Sequence, residues 1–242
     1  GGIMYYSRRT TKKNNAQTLE SAREIAPGDT DQLNRLPLET LDQLAQEELV
    51  STDESIRRGK EELKIALSEF GPERVRPFTK AMNHSTSTLQ KAFHLRQRLD
   101  DAIPESPAER RQMLVEIVSS CGQADDALDA QAEEFAKMRD LLIHSDEKLD
   151  ELTQRTVGLR ARLPEAESTL AGLKGNYDEN VLSPIVDNPE LAAASLDEAE
   201  KLLDKARKVQ EQPAGQQGPL VGLIRDIEHA CEMTDRLISG VE

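Results

Sequence analysis

The feature that most constrains this chain is a seven-residue apolar register that runs through its centre without a slip. The first seam of the register holds Leu114, Cys121, Leu128, Phe135, Leu142, Leu149, Thr156, Leu163, Leu170 and Tyr177. A companion seam with the same spacing holds Ile117, Ala124, Gln131, Met138, Ser145, Leu152, Leu159, Ala166 and Leu173. A hydrophobic period of 3.5 residues over this length is typical of a helix that packs in the left-handed manner of coiled coils. We therefore predict one helix from 107 to about 163, on the order of 85 Å long.

Two places bear on the continuity of this long helix. The segment His144-Ser145-Asp146 is where it would break, and the sequence does not decide whether it does. Pro164 lacks a backbone donor, so we expect the helix to kink or restart there and to fray near residues 174–176.

A helical hairpin is predicted before the long helix. Its first helix begins after Pro37 and ends at Gly71-Pro72, where glycine should supply a left-handed cap and proline the next first turn. The apolar seams of this helix hold Leu49, Ile56, Leu63 and Phe70, and Ala45, Thr52, Gly59 and Ala66. The second helix, from about 72 to 103, carries a stripe of Val75, Phe78, Met82, Ser85, Leu89, Ala92, Leu99 and Ile103. The two helices are of similar length and should pair antiparallel.

Capping signals mark the remaining helix starts. Ser106 as N-cap, Pro107 at the first helical position and Glu109 three residues after the cap form a capping box. Asn188 as N-cap and Pro189 open a helix to about 211, which should bury Leu191, Leu202, Ala206 and Val209. A flexible loop over 212–219 then leads to a last helix over 219–241, with an apolar face of Leu220, Leu223, Ile224, Ile227, Cys231, Thr234, Leu237 and Ile238.

The composition agrees with an all-helical chain. Charged residues make up 31% of the sequence and aromatic residues 3%, and no short window shows the alternation of a strand. We predict an all-α fold of long antiparallel helices, in which two three-helix bundles share the long central helix and give a spectrin-like shape. The predicted parts are the end of a transmembrane segment with its basic flank at 1–13, a linker with one short helix at 14–37, and bundles at 38–144 and 145–242.

The first residues suggest a membrane exit. Gly1 to Tyr6 are small, apolar or aromatic, and four cations without an acid follow at once: Arg8, Arg9, Lys12 and Lys13. Tyrosines at the interface with cations just beyond them are typical of a transmembrane helix leaving the bilayer on its cytoplasmic side. Cations beside an anionic leaflet contribute about 1 kcal/mol each, although simple positive-inside topology would also explain them. The alternative for the whole segment is an expression-tag scar with a disordered basic start.

Net charge and cysteines exclude some functions. A formal charge of -14 argues against nucleic acid, because binding to phosphates needs clustered Lys and Arg. Cys121 and Cys231 both fall on apolar helix faces, which favours two reduced core thiols over a disulfide.

The sequence offers little for chemistry. Glu-x-x-His motifs of di-iron bundles are approached only by Asp226-x-x-His229, a single copy with the wrong acid. The other histidines, His84, His94 and His144, have no partner at ligand spacing. Nucleophile-elbow, Walker A and zinc-protease patterns are missing.

An acidic stripe of Asp125, Asp129 and Glu133 spans two turns of the long helix. The stripe has two interpretations, a surface for a basic partner or a divalent cation, and the solvated face of a helix whose other side is core. We favour the solvated face.

Five segments of the helical region carry a family resemblance. They are 93–101 with Ile103-Pro104, 110–114, 128–135, 161–167 and 186–190. Together they resemble the helical region that follows the transmembrane helix in actinobacterial TPM-domain membrane proteins, over most of 38–242. The resemblance implies an upstream signal peptide, an extracytoplasmic TPM domain and a single span, with this region on the cytoplasmic side. The TPM domain of that family has been linked to phosphatase-like activity in some members, and no catalytic residue can be carried over to the present sequence.

We therefore expect a non-catalytic, membrane-proximal helical scaffold or interaction module of a single-span protein of the cell membrane. Its expected partners are an unknown protein and, through Arg8, Arg9, Lys12 and Lys13, an anionic membrane surface. We expect no cofactor, metal, nucleic acid or small-molecule substrate. Two alternatives stay open: a metal-binding or catalytic helical bundle, and a soluble coiled-coil oligomerisation protein.

Overall fold

The computed structural model describes residues 18–101, 103 and 105–242. The fold is all-α, as the seven-residue register predicts, and the described residues form no strand. Residues 18–23 are helical, and a short 3-10 turn covers Ala214–Gln216. The other helices are α1 (Thr30–Asn34), α2 (Leu38–Arg74), α3 (Arg76–Asp100), α4 (Pro107–Ile143), α5 (Ser145–Asn176), α6 (Glu179–Leu182), α7 (Asn188–Gln210) and α8 (Pro219–Ser239).

The described chain divides into two compact units. The first unit holds 18–67 and 72–134, and the second holds 68–71 and 135–242. The division therefore falls inside α4, whereas the sequence prediction placed it between 144 and 145. Aromatic packing in the second unit explains the difference, because the rings of Phe70 and Phe135 meet edge to face with centroids 5.2 Å apart. Arg139 adds to this contact by lying 4.7 Å above the Phe135 ring.

Three helices form the first unit, in an up-down-up order. Asp42, near the start of α2, accepts hydrogen bonds from Arg96 near the end of α3 at 2.8 Å and from Arg110 near the start of α4 at 3.3 Å. Further along, Thr52 of α2 donates to the backbone carbonyl of Cys121 in α4 at 3.3 Å. These pairs show that α3 runs antiparallel to α2 and that α4 runs parallel to it.

Glycines permit the turn and the close approach between α2 and α3. Gly71 has φ 80° and ψ 165°, a backbone conformation that residues with a Cβ rarely adopt. The helical conformation of α2 is interrupted at Gly71, which confirms the predicted break at Gly71-Pro72. Gly71 lies in the extended positive-φ region rather than in the predicted left-handed helical one. At Gly59, an added Cβ would lie 2.5 Å from the Met82 sulfur, so the absence of a side chain lets the two helices pack.

Residues 18–36 differ from the predicted linker, because they belong to the first unit and pack on its long helices. Ala22 and Leu33 are buried, and Arg23 forms an ion pair with Glu47 of α2 at 2.6 Å. Arg111 of α4 donates to the backbone carbonyls of Asn34 and Leu36. The Arg111 side chain thus supplies hydrogen-bond donors to carbonyls at the end of the short helix α1. No backbone amide within that helix remains to bond them.

The seven-residue seams predict the core of the first unit well. Among the predicted positions, Leu63 and Gln131 are only half-buried. Ile103 is 80% exposed because α3 ends at Asp100. The buried seam residues of this unit are Ala45, Leu49, Thr52, Ile56, Gly59, Ala66, Val75, Phe78, Met82, Ser85, Leu89, Ala92, Leu99, Leu114, Ile117, Cys121, Ala124 and Leu128.

The predicted single helix over 107–163 is wrong at His144. The His144 backbone has φ -101° and ψ 20°, so α4 ends at Ile143 and α5 begins at Ser145. The helical pattern of hydrogen bonds nevertheless continues across the break, from the His144 amide to the Asp140 carbonyl and from the Lys148 amide to the His144 carbonyl, both at 3.0 Å. One residue therefore leaves the helical conformation while the seams keep their phase.

Of the kink or restart expected at Pro164, the restart does not occur, because α5 passes through Pro164 to Asn176. The buried seam residues Leu163, Ala166 and Leu170 hold the helix on both sides of the proline. Tyr177 closes the predicted register but is 56% exposed, since its backbone is already extended.

The second unit has α5, α7 and α8 as its long helices. Arg160 of α5 bonds to Asp197 of α7 at 2.7 Å, and Arg207 at the other end of α7 bonds back to Asp150, so α5 and α7 are antiparallel. Their core cluster holds Leu149, Leu152, Leu159, Leu163, Ala166, Leu170, Ala192, Leu196, Ala199, Leu203, Ala206, Leu220, Leu223, Ile224, Ile227, Cys231, Ile238 and Val241.

Helix α8 runs parallel to α5 and antiparallel to α7. Lys148 meets Glu228 at 3.4 Å, and Arg162 meets Asp235 at 2.5 Å, so both helices advance in the same direction. The predicted apolar face of α8 is confirmed, with Leu237 only half-buried.

Two predictions for α7 are wrong. Asn188 does not cap the helix, because it is the first helical residue and its side-chain amide donates to the Leu237 carbonyl at 3.0 Å. Leu191 is 51% exposed, and its neighbour Ala192 is fully buried instead. The core positions of α7 hold small residues such as Ala192, which allow α8 to approach closely. The buried face of α7 therefore contains Ala192 rather than the larger neighbouring Leu191.

Candidate functional site

The residues predicted to face a membrane lie outside the described part of the chain. They are Arg8, Arg9, Lys12 and Lys13. None of the described helices combines the length and the apolar character that a membrane span requires.

The sequence separates its charge between the first residues and the helical units. Residues 1–17 contain four cations and no acid. The whole chain has 31 Lys and Arg against 45 Asp and Glu, so residues 18–242 hold 27 cations against 45 acids. By net charge, an anionic surface would attract the first segment and repel the helical units.

The weak metal motif lies on the surface of α8. Asp226 and His229 are exposed and line one wall of an open groove between α7 and α8. Across the described residues, no group of three or more His, Cys, Asp or Glu side chains is placed to hold a metal ion. His84, His94 and His144 are also exposed, and His144 lies 3.4 Å from Asp140 one turn earlier.

The groove between α7 and α8 carries apolar side chains at the surface of the second unit. Small side chains, Ala194 and Ala230, lie along it between the larger Leu202 and Met233. Met233 is 44% exposed, and Leu191 near the start of α7 is 51% exposed.

A second candidate surface lies where α2 and α4 meet in the first unit. The Ser51 hydroxyl of α2 donates to Asp125 Oδ2 of α4 at 2.7 Å. The other oxygen, Oδ1, is buried, and no donor of the described residues reaches it. Burial raises the pKa of Asp125, while the Ser51 hydrogen bond opposes this. The acidic stripe is thus solvated at Asp129 and Glu133, but Asp125 turns into the helix contact.

Glu48 is half-buried on α2. Burial, together with the nearby carboxylates of Asp125 and Asp126, raises the pKa of Glu48 to about 7. The preceding residue behaves in the opposite way, since the hydrogen bond from Arg23 lowers the pKa of Glu47. Two adjacent glutamates on one helix therefore differ in ionisation because one has a cationic partner and the other faces acids.

The thiols do not form a nucleophilic site. Cys121 and Cys231 are buried and free, as the sequence predicts. Burial raises the pKa of Cys121 to about 11 and also raises that of Cys231. Both side chains therefore remain protonated near neutral pH and pack as apolar groups.

Glu48 was not among the predicted site residues, and Asp125 was predicted to lie on a solvated face. A signal was present, because Glu48 comes directly before the seam residue Leu49 and Asp125 directly after the seam residue Ala124. Positions beside the seams of two parallel helices face each other in coiled-coil packing. Opposed acids at such positions predict a raised pKa.

Comparisons with known proteins identify two similar chains, both from Mycobacterium tuberculosis. They are UPF0603 protein MT2410 of strain CDC 1551 / Oshkosh and UPF0603 protein Rv2345 of strain ATCC 25618 / H37Rv. Each is 37% identical over 213 residues, which cover 88% of the present chain and 32% of the relative. No protein-family model matches, and neither does a solved structure. The chain thus spans about a third of the length of these curated relatives, to which it is similar.

Proposed function

We propose that this chain is a non-catalytic helical scaffold and interaction module that works close to an anionic membrane surface, within a longer protein. The observation that carries the proposal is the separation of charge: four cations and no acid in residues 1–17, against 27 cations and 45 acids in the remainder. The basic segment binds the surface, and repulsion keeps the acidic helical units away from it.

Ion pairs between helices support the role as a scaffold. In the second unit, Arg162 of α5 reaches Asp235 of α8 at 2.5 Å and Glu242 at 3.2 Å. Arg160 reaches Asp197 at 2.7 Å and Glu200 at 2.9 Å on α7. Each arginine binds two carboxylates across a helix contact. Such paired contacts fix how the helices are aligned along their axes, and they add little to the free energy of unfolding.

Two further observations favour a module of a larger membrane protein. The similar mycobacterial chains are about three times as long as the matched region. The resemblance to actinobacterial TPM-domain proteins implies a span before this region, with the helical units on the cytoplasmic side.

The proposal is tested by sedimentation with lipid vesicles. We expect the chain to sediment with vesicles that contain phosphatidylserine and not with vesicles of phosphatidylcholine alone. Binding should weaken as salt rises, because the Debye length falls from about 30 Å at 0.01 M to about 8 Å at 0.15 M. Replacing Lys12→Glu and Lys13→Glu together should abolish most of the binding.

A matched control uses the same charge change elsewhere. Lys60 and Lys64 are exposed on α2, and the pair Lys60→Glu and Lys64→Glu alters net charge by the same amount. We expect this control to bind like the unchanged chain. An equal loss of vesicle binding in both double variants would contradict the proposal. Vesicle binding that does not depend on anionic lipid would contradict it as well.

The groove between α7 and α8 favours a second candidate, self-association through helix packing. Met233 is exposed there beside small residues, and Leu191 is exposed near the start of α7. Light scattering at several concentrations tests this candidate, which predicts a mass that rises with concentration and falls to the monomer in Leu191→Gln with Met233→Gln. A monomer at all concentrations would exclude it.

A further inference from the structure

Helix α3 carries no acid before its last residue, although the chain as a whole is acidic. From Arg76 to Leu99 the sequence has five cations and neither Asp nor Glu. The rest of the first unit, over 18–67 and 72–134, has nine cations and 23 acids. A basic helix therefore lies within an acidic unit.

Seven exposed residues form one stripe along α3, which we call the α3 stripe. They recur every three or four positions, so they share one side of the helix. Four are cationic, two are histidines and one is a serine: Arg76, Lys80, His84, Ser87, Lys91, His94 and Arg98. At a rise of 1.5 Å per residue the stripe is about 33 Å long.

The chain itself leaves most of these cations without a carboxylate. Arg76 meets Glu73 at 3.0 Å in an exposed pair. Among the described residues, Lys80, Lys91 and Arg98 form no ion pair. Three cations of the stripe are thus open to acids from another molecule.

The exposed positions beside the stripe are neutral. Asn83, Gln90 and Gln97 bring side-chain amides that can donate to carboxylates. Phe93 is 45% exposed and offers an apolar contact. This side of α3 therefore combines cations, further donors and one apolar group.

We propose that the α3 stripe binds an acidic helix of a partner protein, whose carboxylates recur one turn apart along one side. A helix laid along α3 repeats its side chains at the same spacing, so several carboxylates meet cations at once. The proposal rests on the role of the chain as an interaction module, and it names the chemistry of the protein partner.

The width of the stripe favours a narrow partner over a wide anionic surface. At 0.15 M salt the Debye length is about 8 Å, which is less than the diameter of a helix, about 10 Å. A single acidic helix centred on the stripe is attracted by it and screened from acids on the other sides of the unit. A membrane surface also approaches those acids and is repelled by them.

Fluorescence anisotropy with a synthetic peptide tests the proposal. The probe is a fluorescein-labelled helix of alanine with glutamate at every fourth position, as long as α3. The measurements use the background Lys12→Glu with Lys13→Glu, because the basic segment at 1–17 also attracts acids. We expect the peptide to bind at low salt, and Lys80→Glu with Lys91→Glu to raise its Kd by about tenfold or more. Absent binding or an unchanged Kd would overturn the proposal.

A matched control changes the same charge in the second unit. Lys201 and Lys205 are exposed on α7, and Lys201→Glu with Lys205→Glu alters net charge equally. This control should keep the Kd of the background chain. A peptide of the same composition, with glutamates on all sides of the helix, should bind more weakly. An equal loss in the control, or equal affinity for the two peptides, would overturn the proposal.

Three other occupants of the stripe are tested with the same pair of substitutions. The probes are phosphatidylserine vesicles, duplex DNA and a second copy of the chain, the last followed by light scattering. Lys80→Glu with Lys91→Glu should affect each of them less than the peptide. A larger effect on any of them would assign the stripe to that occupant and overturn the acidic helix. Vesicle binding that depends on Lys12 and Lys13 tests the proposed function separately.

Chemical cross-linking tests the contact in the unchanged chain, whatever the variants do. A water-soluble carbodiimide joins lysine amines to nearby carboxylates, and mass spectrometry identifies the lysines joined to the peptide. We expect Lys80 and Lys91 to be joined far more often than Lys201 and Lys205. Equal yields at the two pairs would overturn the proposal.

Discussion

Replacing Gly59 by alanine tests whether the contact between α2 and α3 is as close as the structure shows. The new Cβ would lie 2.5 Å from the Met82 sulfur and 3.4 Å from its terminal methyl carbon. Overpacking a core in this way costs about 1–3 kcal/mol. Alanine gains roughly 1 kcal/mol over glycine inside a helix, which offsets part of that cost. We expect Gly59→Ala to lower the free energy of unfolding by about 1 kcal/mol.

The same substitution at Gly158 provides the control. Gly158 is exposed inside α5, and an added Cβ there would meet nothing within 4 Å. Gly158→Ala should therefore raise the free energy of unfolding by roughly 0.5–1 kcal/mol, which is the helix propensity alone. The same substitution is thus predicted to lower the free energy of unfolding at Gly59 and to raise it at Gly158.

Urea denaturation followed by far-ultraviolet circular dichroism measures both changes. Met82→Ala removes every atom of the side chain beyond Cβ, including the sulfur that meets the new Cβ, so the cost of Gly59→Ala should shrink in this background. Stabilisation by Gly59→Ala equal to that of Gly158→Ala would refute the close packing of the two helices.

Three further predictions concern single side chains. Ser106→Ala removes the hydroxyl that accepts from the Glu109 amide at 3.2 Å, so the denaturation midpoint should fall by an amount equivalent to about 1 kcal/mol. Ile227→Ala empties a fully buried position of the second unit and should cost about 2–5 kcal/mol in the same assay. Burial raises the pKa of Cys121 to about 11, so iodoacetamide at pH 8 should label it slowly in the folded chain and rapidly in urea. Rapid labelling without denaturant would contradict its burial.

The sequence predicts the cores of both units because apolar residues recur at the positions of each helix that face its neighbours. Leu114, Leu149 and Leu163 keep the same phase and are all buried. The spacing continues through the break at His144, because a single residue leaves the helical conformation while the hydrogen bonds on both sides continue. Periodicity therefore predicts burial correctly and continuity of the backbone incorrectly.

Side-chain contacts between helices were less predictable. Asn188 before a proline has the pattern of an N-cap, but tertiary contact with the Leu237 carbonyl places it inside the helix. Leu191 is larger than Ala192, yet the close approach of α8 favours the small residue at the contact. The hydrogen bond from Ser51 to Asp125 depends on the parallel pairing of α2 with α4, which spacing within one helix does not reveal.

The hydrogen bonds of Asp42 have a consequence for kinetics. Its carboxylate joins residues 54 and 68 positions further along the chain, at ends of helices that meet only after the hairpin has closed and α4 has docked. Contacts of such long sequence separation form late, because the loops between them must be ordered first. An interaction that is absent from the folding transition state slows unfolding without hastening folding. This one carboxylate should thus act chiefly on the lifetime of the first unit.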